Sequence, residues 1–396
     1  MKNENGIIEA LSQDVAEILP NREGLEALMK KRPIRLYLGV DPTSPRLHLG
    51  HAIVLRKLRQ FQDLGHTVVL LFGTFTAQIG DPSGKDKARE PLTLAQVRAN
   101  MATYIAQAGM VLDMKKTEVR GNAEWLGKMK FQDVLRLASH ITVSRLLERD
   151  MFQERLKRGG EVWAHEFLYP LMQGYDSVAL NVDLEVGGVD QTFNMLVGRK
   201  LVQDYQQREK YVLTIPLLPG PDGRKMSKSL GNVINLSDAP RDMFGKLMAV
   251  KDELILPYLE WCARASSKEL DDAARFLKGP TNNPKELKVI LAKKVVALYH
   301  GAKKAADAER EFEKIFTKKE LPSDIPRVKV RGNDSVPLAE LLVMTGLATS
   351  KSDARRLLEQ GGIKINGVVE RDGKQRIVPR KGMVIQAGPR RFVEIA

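Results

Sequence analysis

Residues 34–51 read IRLYLGVDPTSPRLHLGH, and the punctuation of this stretch decides the fold. IRLYLGV (34–40) is apolar, rich in β-formers and bounded by Pro33 and Asp41-Pro42, so it predicts a buried strand. Asp41-Pro42-Thr43 ends that strand in a turn, and helical spacing then runs from Leu49 to about Leu64. TVVLLFG (67–73) predicts a second buried strand, and PLTLAQVRANMATYIAQAGM (91–110) a helix with Thr93 as its N-cap. NVDLEVGG (181–188) and KYVLTIPLL (210–218) predict later strands of the same sheet. Strands alternating with helices argue an α/β class with a parallel sheet and crossover helices. A long helical stretch, roughly 131–180, separates the early strands from the late ones.

Beyond this first zone, about 1–235, the composition changes twice. Residues 236–320 have apolar positions at three and four spacings throughout and predict a small helical domain, with Asn283 capping and Pro284 opening its last helix. LPSDIPRVKVRGND (321–334) predicts a linker. Residues 335–396 predict a small basic domain of two helices, PLAELLVMTGL and SKSDARRLLEQG, and short strands at KINGVV and MVIQAG. The 396 residues carry a net charge of +14, which suits a polyanionic partner. No apolar run reaches membrane-spanning length, and the amphipathic N-terminus lacks the pattern of a signal peptide. Cys262 is the single cysteine, which rules out an internal disulfide and a cysteine-based zinc site and fits a reducing cytoplasm.

Two segments carry the chemistry. In HLGH (48–51) the histidines His48 and His51 are three apart, so they share one face of a helix's first turn. A helix N-terminus offers unpaired N–H groups to phosphate, and Gly50 lets a flat base lie against the backbone. In GRKMSKSLGN (223–232), Lys225 and Lys228 sit among small polar residues between glycines, a loop able to bring positive charge to a triphosphate as the transition state forms. Each string alone is most simply read as solvated surface; the two together, in this order, argue for nucleotide chemistry. GDPSGK (80–85) mimics a phosphate-binding P-loop but has one residue too few between its glycines and Asp86 after its lysine, so that reading is rejected. Asp81 still falls in a strand-exit loop, where ligand contacts of parallel sheets concentrate. Tyr169, Gln173 and Asp176 recur at four and three spacings on one helical face, and Gly187-Gly188 predicts a tight turn aiming Asp190 and Gln191 at a ligand.

With these residues in view the chain resembles the bacterial tyrosyl-tRNA synthetases over essentially its whole length. HLGH and KMSKS are similar to the class I synthetase signatures, and YLGVDPT, GDPSGK, YPLMQGYDS and GGVDQ point to the tyrosine branch. SKSDARRLLEQGGIKINGVV resembles the RNA-binding domain named after ribosomal small-subunit protein four. The resemblance implies a Rossmann-like catalytic domain, a helical anticodon-binding domain and an RNA-binding tail. It implies Tyr37 and Asp176 on the substrate's phenolic hydroxyl, Asp81, Tyr169 and Gln173 on its ammonium, and Gln191 on its carboxylate. ATP would lie at Gly39, Asp41, Gly50, His51, Gly188, Asp190, Met226, Ser227 and Ser229, with Thr43 and His48 at the γ-phosphate as pyrophosphate leaves. Lys85, Arg89, Lys225 and Lys228 would supply mobile positive charge, and Mg²⁺ would be held by phosphates and water rather than by the protein. Leu38 replaces a polar or thiol side chain that touches the ribose in some relatives. Lys351, Arg355, Arg356, Lys364 and Arg371 would meet tRNA, together with Arg376, Arg390 and Arg391, and the insertion at about 120–180 would join a homodimer. The alternatives are a tryptophan-specific relative, an RNA-binding protein without catalysis and a nucleotidyltransferase acting on a small cofactor precursor.

Overall fold

The computed structural model describes residues 4–80, 92–227, 230–318, 320–321, 325–330, 335–388 and 391–396. They form two compact units, one reaching to Asp238 and resuming over Val250–Leu287, the other made of Ala239–Ala249 and Lys288–Ala396. The division falls inside the Pro284–His300 helix, so the zone expected at 236–320 is shared between the two units. No helix among the described residues is long and apolar enough to cross a membrane.

The first unit is built on a six-stranded sheet: β1 (Glu17–Leu19), β2 (Arg35–Val40), β3 (Thr67–Phe72), β4 (Thr117–Gly121), β5 (Leu184–Gly188) and β6 (Tyr211–Ile215), in the order β1-β6-β5-β2-β3-β4. Strands β2 to β6 are parallel to their neighbours, and β1 closes one edge antiparallel to β6. Val68 to Phe72 are all buried because helices cover both faces, which is why these strands read as apolar runs rather than alternations. The chain builds outward from β2 to β4, then returns to lay β5 on the other side of β2. The reversal leaves a crevice beyond the carboxyl ends of β2 and β5, the place where open α/β sheets bind ligands.

The capping box Thr93–Gln96 starts the Leu94–Ala108 helix where expected. The 131–180 stretch is not one helix but four, Phe131–Ala138, Val143–Leu147, Asp150–Lys157 and Ala164–Leu180. The last of them packs on Thr192–Gln206 at a glycine contact, where a Cβ on Gly174 would stand 3.1 Å from the backbone nitrogen of Gly198.

In the second unit Gly301, at φ +90°, divides the expected long helix into Pro284–His300 and Ala302–Phe312. Its C-terminal part packs the helices Leu338–Met344 and Lys351–Glu359 on a sheet of β7 (Arg327–Val328), β9 (Ile363–Ile365), β10 (Val368–Glu370), β12 (Val384–Ala387) and β13 (Arg391–Ile395). The strands β8 (Val336–Pro337) and β11 (Arg376–Ile377) form a separate antiparallel pair. The linker expectation fails at Arg327–Val328, which pairs in parallel with β13.

Candidate active site

The first wall of the crevice forms where the two signature segments meet. Leu49 N–H donates to Ile234 O at 3.0 Å and Leu236 N–H to Leu47 O at 2.9 Å, so the chain leaving the lysine loop runs alongside HLGH. His48 is the extended N-cap of the Leu49–Asp63 helix, and its backbone N–H donates to Nδ1 of His51 at 3.2 Å. The two rings stand 3.9 Å apart, and Tyr104 meets His51 edge-on. A Cβ on Gly50 would approach the His48 ring to 3.1 Å, so glycine there keeps the histidine in place as well as baring the backbone.

The lysine loop is stapled from behind by Asn232. Its Oδ1 accepts from Ser227 N–H at 2.8 Å, and its Nδ2 donates to Asp222 at 2.8 Å and to Lys225 O at 3.2 Å. The Asn232 and Arg224 hydrogen bonds lower the Asp222 carboxyl to about 2. Lys225 reaches Oδ2 of Asp190 at 3.4 Å across the crevice mouth.

The crevice encloses about 350 Å³, within the range of small-molecule sites. Its lining includes Gly39, Asp41, Thr43, His48, Gly50, His51, Tyr169, Gln173, Asp176, Gly188, Asp190, Gln191, Lys225 and Met226, all expected from the sequence. At its inner end, Asp41 accepts from Thr76 Oγ1 at 2.7 Å and from the Tyr169 hydroxyl at 2.8 Å. Asn122, just past β4, donates through Nδ2 to Thr76 Oγ1 at 3.0 Å and to Asp176 at 3.3 Å. Trp125 Nε1 donates to Asp176 at 2.7 Å. Burial pushes the Asp176 carboxyl well above the usual range, against the pull of the Trp125 and Asn122 donors. Gly73 makes this cluster possible, since a Cβ there would sit 1.8 Å from Asp41 Oδ1.

Tyr37, expected with Asp176 at the phenolic hydroxyl, lies deeper than the crevice lining, close enough to Asp176 for that carboxylate to act on its phenol. Its fully buried ring lies beneath Gly39 rather than on the crevice wall, and its hydroxyl shares a 2.9 Å hydrogen bond with Ser177. On β2 it precedes Gly39 by two residues on the same face, about 6.6 Å further from the strand's carboxyl end. Burial, with Glu185 and Asp176 nearby, raises its phenol well above the ordinary value.

Thr76, Asn122, Trp125, Ser177, Glu185, Asn194 and Lys210 are site or supporting residues that the sequence reading missed. Glu185 and Lys210 form a fully buried ion pair, and burial lowers the Lys210 ammonium. Asp81, Lys85, Arg89, Lys228 and Ser229 lie outside the described residues, as does Arg390. In the second unit, Lys351, Arg355, Arg356 and Arg371 are exposed and Lys364 is half-buried on β9. Lys351 pairs with Glu340 at 2.9 Å and Arg356 with Asp353 at 2.7 Å, so two of the five basic side chains are shared with acidic neighbours.

Residues 29–317 match the family model of class I tRNA synthetases (W and Y), and residues 317–386 match that of the tyrosine--tRNA ligase SYY-like C-terminal domain. A tyrosine--tRNA ligase of Thermotoga maritima is 46% identical over 390 residues, covering 98% of this chain and 97% of that one. A tyrosine--tRNA ligase of Burkholderia mallei is 48% identical, covering 96% and 92%. Among solved structures, the tyrosyl-tRNA synthetase of Archaeoglobus fulgidus, complexed with L-tyrosine, aligns with a TM-score of 0.63 at 22% identity, covering 78% of this chain and all of that one. The C-terminally truncated mitochondrial enzyme of Aspergillus nidulans gives 0.63 at 23% identity, covering 78% and 94%, and these two likenesses speak to fold alone.

Proposed function

The chain belongs to the class I tRNA synthetases of the tryptophan and tyrosine branch and is a tyrosine--tRNA ligase, and we propose that the crevice just described carries both of its steps. In the first, a carboxylate oxygen of L-tyrosine attacks the α-phosphorus of ATP, the bond to pyrophosphate breaks, and tyrosyl-adenylate forms. In the second, a terminal hydroxyl of the tRNA attacks the adenylate's carbonyl carbon and AMP leaves. The attacking carboxylate is already a nucleophile, so catalysis is positioning plus electrostatics. The observation that carries this reading is the pairing of Leu47–Leu49 with Ile234–Leu236, which supports one phosphate end built from His48, His51, Thr43 and Lys225.

The buried acid Asp176 would accept the phenolic hydroxyl at the opposite end. Tyr169 and Gln173, with Asp81 from outside the described residues, would surround the ammonium, Gln191 the carboxylate and Asp190 the ribose. A buried acceptor built for a hydroxyl is left unpaired by phenylalanine, which supports selection without editing. The phosphate end offers imidazoles, a hydroxyl and an ammonium, groups that suit phosphate oxygens and not a hard cation, so Mg²⁺ would ride on the nucleotide. The helical zone would approach the anticodon arm, and the basic C-terminal domain the tRNA backbone.

A homodimer through the 120–180 insertion belongs to the same proposal. Phe131, Leu135, Val143 and Trp163, all more than half exposed, put large apolar side chains on that segment's surface. Charging in the cytoplasm completes the proposal. The test is amino-acid-dependent ATP–pyrophosphate exchange without tRNA, run with each of the twenty amino acids. Exchange with tyrosine alone is expected; exchange with tryptophan instead would overturn the role of Asp176, and folded protein silent with all twenty would refute adenylation.

A further inference from the structure

One wall of the crevice carries a chain of hydrogen bonds whose direction is set from one end. Glu185 and Lys210 are ion-paired and buried, and Lys210 also donates to Met195 O at 3.1 Å. Gly198 leaves room for the ammonium, since a Cβ there would stand 2.8 Å from Nζ. A carboxylate has acceptors only. Gln173 therefore meets Glu185 with its nitrogen, Nε2 donating at 3.1 Å. That leaves the Gln173 carbonyl oxygen pointing the other way, where it accepts from Asn194 Nδ2 at 2.9 Å. The same nitrogen of Asn194 donates to Gln191 Oε1 at 3.0 Å.

Asn194 is fully buried, and its own Oδ1 has no hydrogen-bond partner. Turning the amide over would satisfy nothing, because Oδ1 would then face two carbonyl oxygens. Each link thus takes its donor–acceptor sense from Glu185. At the last link, Asn194 takes up the Gln191 carbonyl, so the donor end of that amide is the one left for the crevice that Gln191 lines.

We propose that Glu185, Gln173 and Asn194 form a polarity relay that makes Gln191 present an N–H donor, rather than a carbonyl, to the carboxylate of the bound amino acid. Asn194 and Glu185 are positioning residues in this scheme, and Lys210 keeps the relay's first acceptor charged. The inference rests on the amino-acid site assigned under the proposed function.

The test compares equilibrium dissociation constants of the full chain for L-tyrosine and for L-tyrosinol, which keeps the phenol and ammonium but replaces the carboxylate with an alcohol. Asn194→Asp puts an acceptor where both donors were, at nearly equal volume. Tyrosine should bind about tenfold more weakly, or worse, while tyrosinol changes by less than about twofold. Equal weakening of both ligands, or no change in either, overturns the relay in favour of a packing role. Should that variant not fold, Glu185→Gln combined with Lys210→Met preserves net charge and approximate shape while removing the fixed acceptor. There the ratio of the tyrosine to the tyrosinol constant should rise about threefold or more, and an unchanged ratio overturns the relay. Failure of the unaltered chain to bind tyrosine would instead refute the functional reading beneath it.

Discussion

Lys57 lies in the middle of the Leu49–Asp63 helix, is 1% exposed, and donates to the backbone carbonyls of Ala10, at 2.8 Å, and Gln13. It thereby holds the Glu4–Ala10 helix and the loop that leads to β1. Lys57→Met keeps the stem and removes the donor. Each buried carbonyl left without a partner costs about 1–3 kcal/mol, and relief of the desolvated ammonium returns part of it, so a net loss of about 2 kcal/mol is expected at pH 7. The pH dependence is the sharper signature. Burial lowers the Lys57 ammonium to about 8 from its ordinary 10.5. Between those two values the unfolded chain binds the proton and the folded chain does not, so folding strengthens as pH rises through this window. The slope is at most about 1.4 kcal/mol per pH unit, and the methionine variant lacks it. The stability gap between wild type and variant should therefore widen from about 2 to about 4 kcal/mol between pH 8 and pH 10. Burial raises the carboxyl of Asp14 beside this lysine, against the pull of Arg56, Lys57 and Arg264. Amide hydrogen exchange of the segment 4–19, corrected for intrinsic rate at each pH, measures the local opening energy. A gap that stays constant or narrows over this range would refute the account of Lys57 as a desolvated tether.

Gly73→Ala drives a methyl group into the Asp41 carboxylate and, at 2.3 Å, the Thr76 hydroxyl. With two hydrogen bonds to a carboxylate disturbed, tyrosine-dependent exchange should fall by about two orders of magnitude with the far-ultraviolet dichroism unchanged. Asp176→Asn should cost about tenfold to a hundredfold in kcat/KM for tyrosine and leave the weak reaction with phenylalanine unmoved. With Asp176 in its proposed role as acceptor of the phenol and its carboxyl raised by burial, tyrosine affinity should weaken on acidification before the ordinary carboxylate range is reached, as read from dissociation constants measured downward from neutral pH. Reversing charge at Lys351 and Arg355 should raise KM for tRNA and flatten its dependence on the logarithm of salt concentration by about two units, with exchange in the absence of tRNA unchanged.

What the sequence made legible, and what it did not, divides along physical lines. The central strands β2 and β3 were readable because helices cover both of their faces, leaving apolar runs closed by Pro and Gly. The edge strands were not: β1 is three residues long, and TEVRG in β4 is half-buried along its length with no alternation to detect. Thr93 and Asn283 marked helix starts through side chains that act within one turn, Asn283 Oδ1 accepting from Lys285 N–H at 3.0 Å. The breaks inside 131–180 carry such marks too, Thr142 Oγ1 accepting from Arg145 N–H at 3.2 Å and Gly159 at φ +72° after the Asp150–Lys157 helix, but the helical spacing on either side masked them.

The site divides in the same way. Residues in the turns after β2 and β5 were found because a loop at a strand's carboxyl end faces the crevice whichever way the rest of the chain packs. The depth of Tyr37 was not legible, because membership of the same strand says nothing of depth, and two residues toward the amino end take a side chain from the crevice lining into the core. Nothing in the sequence singles out Lys57 or Lys210, since a lysine is buried only where several distant groups converge on it. For Lys210 those groups are Glu185, the Met195 carbonyl and the space left by Gly198, and for Lys57 the carbonyls of Ala10 and Gln13. None of these partners is special as a residue type; their convergence is a property of the fold. The same holds for Asn194, an ordinary helix residue in sequence whose amide acquires a fixed sense only because a carboxylate stands two hydrogen bonds away. The groups proposed to touch substrate were therefore readable from local motif, while the groups proposed to orient them were readable only after the sheet order brought β5, β6 and the Ala164–Leu180 helix together.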